Sequence, residues 1–400
     1  MRLVTQSSQT YPIQKKYQSP EFLRTLPHLR TRLPFQALLL QFRSLMIGRL
    51  TSFFNDEGFT QTHTPIITSS DCEGAGEVFT VSSKASTVSA QNSEAGQVEP
   101  FFRSPKYLTV SSQLHLEALA QSVGHVWTLS PTFRAEKSDT ARHLSEFYML
   151  EAEMAFTDDM NVVMDLIKRM LCHVASDLRQ HPVVREILSR SATQSEEDDI
   201  QMTSAQTLDH RWDSLQIVDR TPIDGDSNPT YPKWPVLTYT ECIGYLERAA
   251  ADNPSLFEFA PTWHDGLQAE HEKWLAQNFM SPLFITDYPR HQKPFYMAPN
   301  ADGKTVRCFD LIFPDLCELV GGSMREHRSK ELLDTMKEHG LLKDTSGASG
   351  LDWYVDLRRY GSVPHGGFGL GFDRLLCYLT GVNNIRDVVA FPRWYGRCEC

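Results

Sequence analysis

The sequence lacks a long hydrophobic run, and it lacks an opening apolar segment followed by a small-residue cleavage site. A helix that crosses a membrane needs about 20 mostly apolar residues, so we expect no membrane span. The missing cleavage pattern also argues against a secretory signal. We therefore expect a soluble protein inside the cell, in the cytoplasm, with mitochondria as the alternative compartment.

Closely spaced cysteines are also missing, because the eight cysteines are scattered and only Cys398 and Cys400 lie near each other. No pair of histidines accompanies these two, so the spacing predicts neither a zinc site nor a disulfide framework. We expect reduced thiols. Any metal should then be bound by oxygen ligands.

Positive charge is scarce and unevenly distributed. The chain has 39 Lys and Arg against 50 Asp and Glu, a net charge of −11, yet residues 1–50 hold eight basic residues and one acidic residue. An acidic body does not attract RNA in general, so this basic segment is the first candidate for a nucleic-acid contact. A mitochondrial presequence is the alternative. We prefer a basic linker over residues 1–34.

Hydrophobic periodicity indicates the fold class. Apolar residues recur at a helical period over 35–57, before Gly58, and again over 160–190. Strands with polar ends alternate with long helices without the repeated βαβ pattern, which predicts an α+β fold. Residues 81–98 and 191–235 lack an apolar period and are predicted to be flexible insertions.

Charged and aromatic residues alternate between 131 and 154, where a core pattern would be expected. The order of residues predicts a strand, a polar loop and a second strand that carries Glu146, Glu151 and Glu153 on one side. Arg134 and Arg142 flank the loop, and a guanidinium binds phosphate or carboxylate through two hydrogen bonds. An exposed hairpin with ordinary ion pairs is the alternative.

Two further sequence patterns are consistent with nucleotide binding. Asp310 and Glu318 are eight residues apart across a predicted turn and precede Gly321 and Gly322, an arrangement that suits Mg²⁺ bound to phosphates. A plain structural hairpin is the alternative. Alternating glycines over 364–371 leave a flat backbone surface for a planar base, although a glycine-rich stretch alone is weak evidence.

These patterns together resemble a known family. Phe133-Arg134-Ala-Glu136, then Arg142-His143-Leu144 and Glu146-Phe147, are similar to motif 2 of the class II aminoacyl-tRNA synthetases that activate aspartate, asparagine and lysine. The helix at 35–57 with the following strand looks like motif 1, and residues 364–379 look like motif 3. The resemblance covers about residues 11–395 and is closest to the asparaginyl branch.

The resemblance implies an antiparallel sheet flanked by helices, a catalytic domain over 35–400 and a homodimer through motif 1. It implies that ATP and Mg²⁺ are used and that Arg134, Glu136 and Arg374 are catalytic, with Asp310 and Glu318 binding the metal. The ATP-binding residues would be Arg134, Glu136, Arg142, His143, Phe147, Glu318, Gly371 and Arg374. The amino acid substrate would be bound by Glu73, Gln113, Arg134, Glu151 and Arg325.

The substrate is predicted from one departure and two retained residues. Aspartyl enzymes carry a lysine three residues after the glutamine that corresponds to Gln113, whereas this chain has Leu116. Arg325 would donate to the amide oxygen of asparagine, and Glu151 would accept from the amide nitrogen or from the ammonium group. Aspartate would meet Glu151 as a like charge, so the resemblance implies L-asparagine.

The sequence also departs from the family at its start, because it opens at the linker without the β-barrel that reads the anticodon. Either the chain was cut at its start, or the protein is a catalytic core without normal tRNA reading. We expect asparagine–tRNA ligation with weakened tRNA binding. Two alternatives stay open. The adenylate could pass to a non-tRNA acceptor in amide or small-molecule biosynthesis, or the protein could be a non-catalytic dimeric binding module. The retained arginines and carboxylates argue against the second.

Overall fold

The structure is a computed structural model that describes residues 8–69, 78–83, 101–193, 200–218, 229–342 and 350–400. None of the helices in these ranges is long and apolar enough to cross a membrane. The helices are α1 Pro20–Arg24, α2 Pro27–Arg30, α3 Pro34–Asp56, α4 Gln113–Val123, α5 Met160–Leu178, α6 Pro182–Thr193, α7 Ala205–Asp213, α8 Tyr239–Asp252, α9 Ala269–Phe279, α10 Ser329–Glu338, α11 Asp352–Arg359, α12 Phe372–Thr380 and α13 Ile385–Val388.

An eight-stranded sheet forms the centre of the molecule. Its strands are β1 Thr60–Gln61, β5 His125–Phe133, β6 Glu146–Ala155, β7 Val236–Thr238, β8 Leu283–Thr286, β9 Cys308–Phe313, β10 Cys317–Met324 and β11 His365–Gly371, and a small separate sheet contains β2 Ile67–Thr68, β3 Thr80–Val81 and β4 Lys106–Leu108. The strands of the central sheet lie in the order β1-β5-β6-β11-β10-β9-β8-β7. Neighbouring strands pair antiparallel except at the two edges, where β1 with β5 and β7 with β8 are parallel. The predicted α+β fold with a largely antiparallel sheet is therefore confirmed.

The helix predicted over 35–57 is α3. Phe42, Met46 and Leu50, spaced by four residues, are fully buried against the sheet and α5. Each buried side chain of this size contributes about 2 kcal/mol of hydrophobic stabilisation. The chain leaves the helix at Gly58, whose φ of 76° is a conformation that glycine adopts without strain.

The alternation of side chains along β6 separates the core from the site. Leu150, Ala152 and Met154 belong to the main hydrophobic core, whereas Glu151 and Glu153 point to the other face, where a cavity lies. The prediction that Glu146 shares the face of these two glutamates is wrong. Glu151 and Glu153 lie five and seven positions after Glu146, which are odd spacings, and side chains on one face of a strand recur every two positions.

Part of the predicted basic linker packs on the C-terminal region. Arg24 Nη2 lies 2.6 Å from Asp387 Oδ2, and Arg30 Nη1 lies 3.2 Å from Asp387 Oδ1. Arg30 Nη2 also donates to the carbonyl groups of Arg386 and Val389 at 2.6 Å. Two guanidinium groups thus tie α1 and α2 to α13. The assignment of residues 1–34 as a linker stays a prediction.

The predicted insertion at 191–235 is wrong where the chain is helical. Helix α6 continues to Thr193, and α7 follows Ser204, whose hydroxyl accepts from the Thr207 amide. Leu208 and Trp212 are buried, but two apolar residues four apart are too short a period for sequence analysis to detect. Of the insertion predicted at 81–98, residues 84–98 lie outside the described part of the chain.

Candidate active site

Two adjoining cavities lie over the middle of the sheet, with volumes of about 150 and 210 Å³. Arg134, Met149, Glu318 and Gly369 line both, so the two cavities meet at these side chains. The first cavity brings together all the residues that the resemblance assigns to ATP. These are Arg134, Glu136, Arg142, His143, Phe147, Glu318, Gly371 and Arg374.

The β5–β6 connection places a cation beside an aromatic ring. Arg134 follows the last residue of β5 directly, and its Cζ lies 5.6 Å from the centre of the Phe147 ring on β6. Arg134 Nη1 lies 4.0 Å from Glu136 Oε1, and His143 Nε2 lies 3.5 Å from Glu136 Oε2. Burial lowers the pKa of His143, and Glu136 opposes this effect. The arrangement suits a planar base with negatively charged groups attached.

Two more arginines line the first cavity. Arg142 Nη1 donates to Cys317 Sγ at 3.0 Å, and Arg374 Nη1 donates to the carbonyl of Glu318 at 3.0 Å. Arg374 lies in the first turn of α12, which begins directly after β11, so it points back over the strand. Guanidinium groups at these positions can bind phosphate oxygens.

Asp310 and Glu318 face each other across the β9–β10 hairpin. A Cβ added at Gly321 would lie 3.1 Å from Glu318 Oε1 and 3.4 Å from Asp310 Oδ1, so both oxygens converge on one point above a bare backbone. Carboxylate oxygens in this arrangement fit Mg²⁺. The β-bulge between Glu318 and Val320 sets the direction of Glu318.

Two residues outside the sequence motifs, Lys293 and Glu272, adjoin this carboxylate pair. Lys293 Nζ lies 2.7 Å from Asp310 Oδ2. Glu272 Oε2 accepts from the Glu318 amide at 3.3 Å. Burial and the charges of Glu318 and Asp310 raise the pKa of Glu272 to about 8. The sequence separates these residues by 17 to 46 positions, so only the fold could reveal them.

The second cavity contains the predicted amino acid residues Gln113, Glu151 and Arg325. Gln113 begins α4, after β4 has ended at Leu108. Glu151 accepts from the Ser111 hydroxyl at 2.5 Å and from the Ser112 amide at 2.9 Å. Burial raises the pKa of Glu151, and these hydrogen bonds oppose it. Glu73 lies outside the described residues.

Arg325 is held by a carboxylate to which sequence analysis gave no role. Its Nη2 lies 3.0 Å from Glu153 Oε2, and its Nη1 donates to Ser323 Oγ at 2.6 Å. Burial disfavours the guanidinium charge, but Glu153 and Glu117 outweigh this effect and raise the pKa of Arg325. Arg325 is therefore a fixed cation at the end of the second cavity.

The arrangement agrees with the comparison to known families. The model of the family described as tRNA synthetases class II (D, K and N) matches residues 19–395. The chain belongs to this family. Members of the class II synthetases use ATP, which agrees with the three arginines that line the first cavity.

Relatives within the family are named asparagine–tRNA ligases. The mitochondrial asparagine–tRNA ligase of Saccharomyces cerevisiae is 42% identical over 98% of this chain and 75% of its own length. The asparagine–tRNA ligase of Desulfotalea psychrophila is 41% identical over 98% of this chain and 77% of its own.

The solved structures similar to this chain include asparaginyl-tRNA synthetases. The asparaginyl-tRNA synthetase of Pyrococcus horikoshii, complexed with asparaginyl-adenylate, has a TM-score of 0.76 and 28% identity, and the match covers 96% of this chain and 74% of that one. The Entamoeba histolytica synthetase with the same adenylate has a TM-score of 0.74 and 25% identity, over 99% and 76% of the two chains. The shared fold places the two cavities in a synthetase framework.

Proposed function

We propose that this protein activates L-asparagine with ATP as an aminoacyl-adenylate and transfers it to tRNA(Asn). The observation that carries the proposal is the meeting of two different cavities at Arg134. The first cavity presents arginines and an aromatic ring, and the second presents Arg325 and Glu151. Relatives with about 40% identity that are named asparagine–tRNA ligases support it.

The reaction joins two anions, because the carboxylate of the amino acid attacks the α-phosphate of ATP and pyrophosphate leaves. Arg134 adjoins both cavities, so it is the group that can bind the α-phosphate and the substrate carboxylate together. Arg142 and Arg374 would bind the outer phosphates, and Phe147 and Arg374 would lie on opposite faces of the adenine. No nucleophilic side chain is needed, since the catalysis is positioning and charge stabilisation.

Mg²⁺ would be held by Asp310 and Glu318, whose oxygens converge above Gly321. A bound Mg²⁺ supplies positive charge that neutralises the phosphate oxygens. Glu136 would bind ATP at a position close to His143. The residues of the chain align ATP and hold its phosphates against the positive side chains.

Asparagine is favoured over aspartate by the carboxylates around Arg325. Arg325 would donate to the amide oxygen, and Glu151 would accept from the amide nitrogen or the ammonium group. Leu116 lines the second cavity without supplying a cation. An aspartate side chain would therefore meet the like charges of Glu151 and Glu153 without a free positive partner.

We further propose a homodimer that forms through α3 and the strands after it. Ile66, Ile67 and Phe79 are 40%, 42% and 38% exposed in the single chain, which suits an interface. Relatives of this chain include mitochondrial and bacterial enzymes, and we propose a cytoplasmic location with mitochondria as the alternative.

The test is ATP–pyrophosphate exchange with each amino acid, followed by transfer of labelled asparagine to total tRNA. Exchange with asparagine together with charging of tRNA is the expected result. Exchange without charging would redirect the search to a non-tRNA acceptor. Faster exchange with aspartate than with asparagine would contradict asparagine as the substrate. The absence of exchange with any amino acid would favour the non-catalytic binding module.

A further inference from the structure

A fully buried carboxylate, Glu117, lies beneath the second cavity and contacts side chains from three elements. Its Oε2 accepts from Arg358 Nη2 at 2.6 Å and from the Tyr354 hydroxyl at 2.7 Å, and it lies 3.1 Å from His365 Nε2. Its Oε1 accepts from Gln113 Nε2 at 3.0 Å. Gln113 and Glu117 are one helical turn apart on α4, so the hydrogen bond fixes the direction of Gln113.

The same carboxylate faces the other side chain proposed to bind the substrate. Glu117 Oε1 lies 3.9 Å from Arg325 Nε, and Glu153 Oε2 lies 3.0 Å from Arg325 Nη2. One oxygen of Glu117 therefore lies between Gln113 and Arg325. The charge of Arg325 is shared by two carboxylates before any substrate binds.

Glu117 is charged despite its burial. Burial disfavours the carboxylate, but the charge of Arg358 and the hydrogen bond with His365 outweigh it and lower the pKa of Glu117. An unpaired carboxylate would not persist in such a place, because the cost of removing it from water is too high. The negative charge is thus a permanent part of the floor of the site.

We propose that Glu117 is a positioning residue that orients Gln113 and engages the charge of Arg325, so that the site prefers a neutral amide to a carboxylate. This inference rests on the proposed function. An amide needs only a hydrogen-bond donor from Arg325, which the guanidinium still offers. The side-chain carboxylate of a bound aspartate would need an unshared positive charge on Arg325, and Glu117 and Glu153 already compete for that charge.

The experiment compares wild type with Glu117→Gln in ATP–pyrophosphate exchange, measuring kcat and KM for asparagine and for aspartate. Glutamine keeps the length of the side chain and an oxygen that can accept from Gln113, but it removes the charge. We expect the ratio of kcat/KM for asparagine to that for aspartate to fall by about tenfold or more, since like-charge contacts carry large selectivity. The fall should come from a higher KM for asparagine and a lower KM for aspartate.

A purely structural role would lower both activities together and leave the ratio unchanged, and that result would overturn the proposal. Glu117→Gln leaves Arg358 buried without its partner and could fail to fold. The double variant Glu117→Gln/Arg358→Met removes both charges and allows the same test, because the Glu117 charge that faces Arg325 is still absent. We expect the same fall in the ratio.

The matched control is Glu338→Gln, which removes the same charge from an exposed carboxylate paired with Arg290 outside the site. Its ratio should equal that of wild type, and a similar fall in the control would overturn the role of Glu117. If wild type itself shows no exchange with asparagine, the proposed function fails. If wild type shows exchange and Glu117→Gln keeps its ratio, only this inference fails.

Discussion

Lys293 and Asp310 form an ion pair in the wall of the second cavity, with 2.7 Å between Nζ and Oδ2. Burial disfavours the ammonium charge, but Asp310 and Glu318 outweigh it and raise the pKa of Lys293. The lysine therefore stays charged beside two carboxylates proposed to bind Mg²⁺. It offsets part of their negative charge in the absence of the metal.

Replacing Lys293 by Met should destabilise the metal-free protein by about 3 kcal/mol, because one partner of a buried pair is left without the other. Mg²⁺ should restore part of this loss, since the metal would supply the missing positive charge. Urea unfolding with and without Mg²⁺ measures both effects. Lys304→Met, at an exposed lysine, is the control. Equal stability of Lys293→Met and wild type would contradict the ion pair.

Arg134→Ala should lower the rate of ATP–pyrophosphate exchange by about 100-fold or more while the protein stays folded. The loss is expected because Arg134, alone among the cations of the described residues, lines both cavities and can hold the α-phosphate and the carboxylate together. Circular dichroism and exchange kinetics would be measured together. Arg185→Ala, at an exposed arginine of α6, should leave the rate unchanged.

Alanine substitutions at two glycines of β11 should have different effects on stability. A Cβ at Gly367 would lie 2.0 Å from Glu153 Oε2 and 2.3 Å from the Ala152 carbonyl, so backbone must move. A Cβ at Gly369 would meet Met149 Cε at 2.7 Å, the end of a flexible side chain.

We therefore expect Gly367→Ala to lower the midpoint of urea unfolding and Gly369→Ala to change it little. Gly369 lines both cavities, so Gly369→Ala should instead raise the KM for ATP. Unfolding curves and exchange kinetics for the two variants separate stability from binding. Equal unfolding midpoints for the two variants would be inconsistent with the close approach at Gly367.

The sequence predicted those parts of the fold and site that local patterns encode. Helix α3 follows from an apolar period and a glycine stop, and the residues assigned to ATP follow from motifs that are contiguous in the chain. Helix α7 was missed because Leu208 and Trp212 are its only buried residues. Local periodicity cannot register so short a signal.

The supporting network of the site could not be predicted, since its partners are distant in the sequence. Arg358 meets Glu117 across 241 positions and Arg325 meets Glu153 across 172. The hydrogen bonds between Gln113 and Glu117 and between Tyr354 and Arg358 had a local signal, because residues four apart share one face of a helix. Antiparallel pairing of β6, β11 and β10 brings the remaining groups together.

The buried charge of Glu117 should make the stability of the protein sensitive to acid. The pKa of Glu117 is lower in the folded protein than in the unfolded chain, where a glutamate has a pKa of about 4.3. The unfolded chain therefore binds more protons as the pH falls below this value. The stabilisation is fully present above about pH 4.3 and is lost on acidification, by up to about 1.4 kcal/mol per pH unit.

Glu117→Gln cannot take up this proton, so its free energy of unfolding should fall less steeply with acid than that of wild type. Urea unfolding at about pH 5 and about pH 3.5 measures the two slopes, and comparing slopes removes the constant cost of leaving Arg358 unpaired. Glu338→Gln, at an exposed carboxylate, should keep the wild-type slope. Parallel slopes for Glu117→Gln and wild type would show that Glu117 is not held as a charged group in the folded protein.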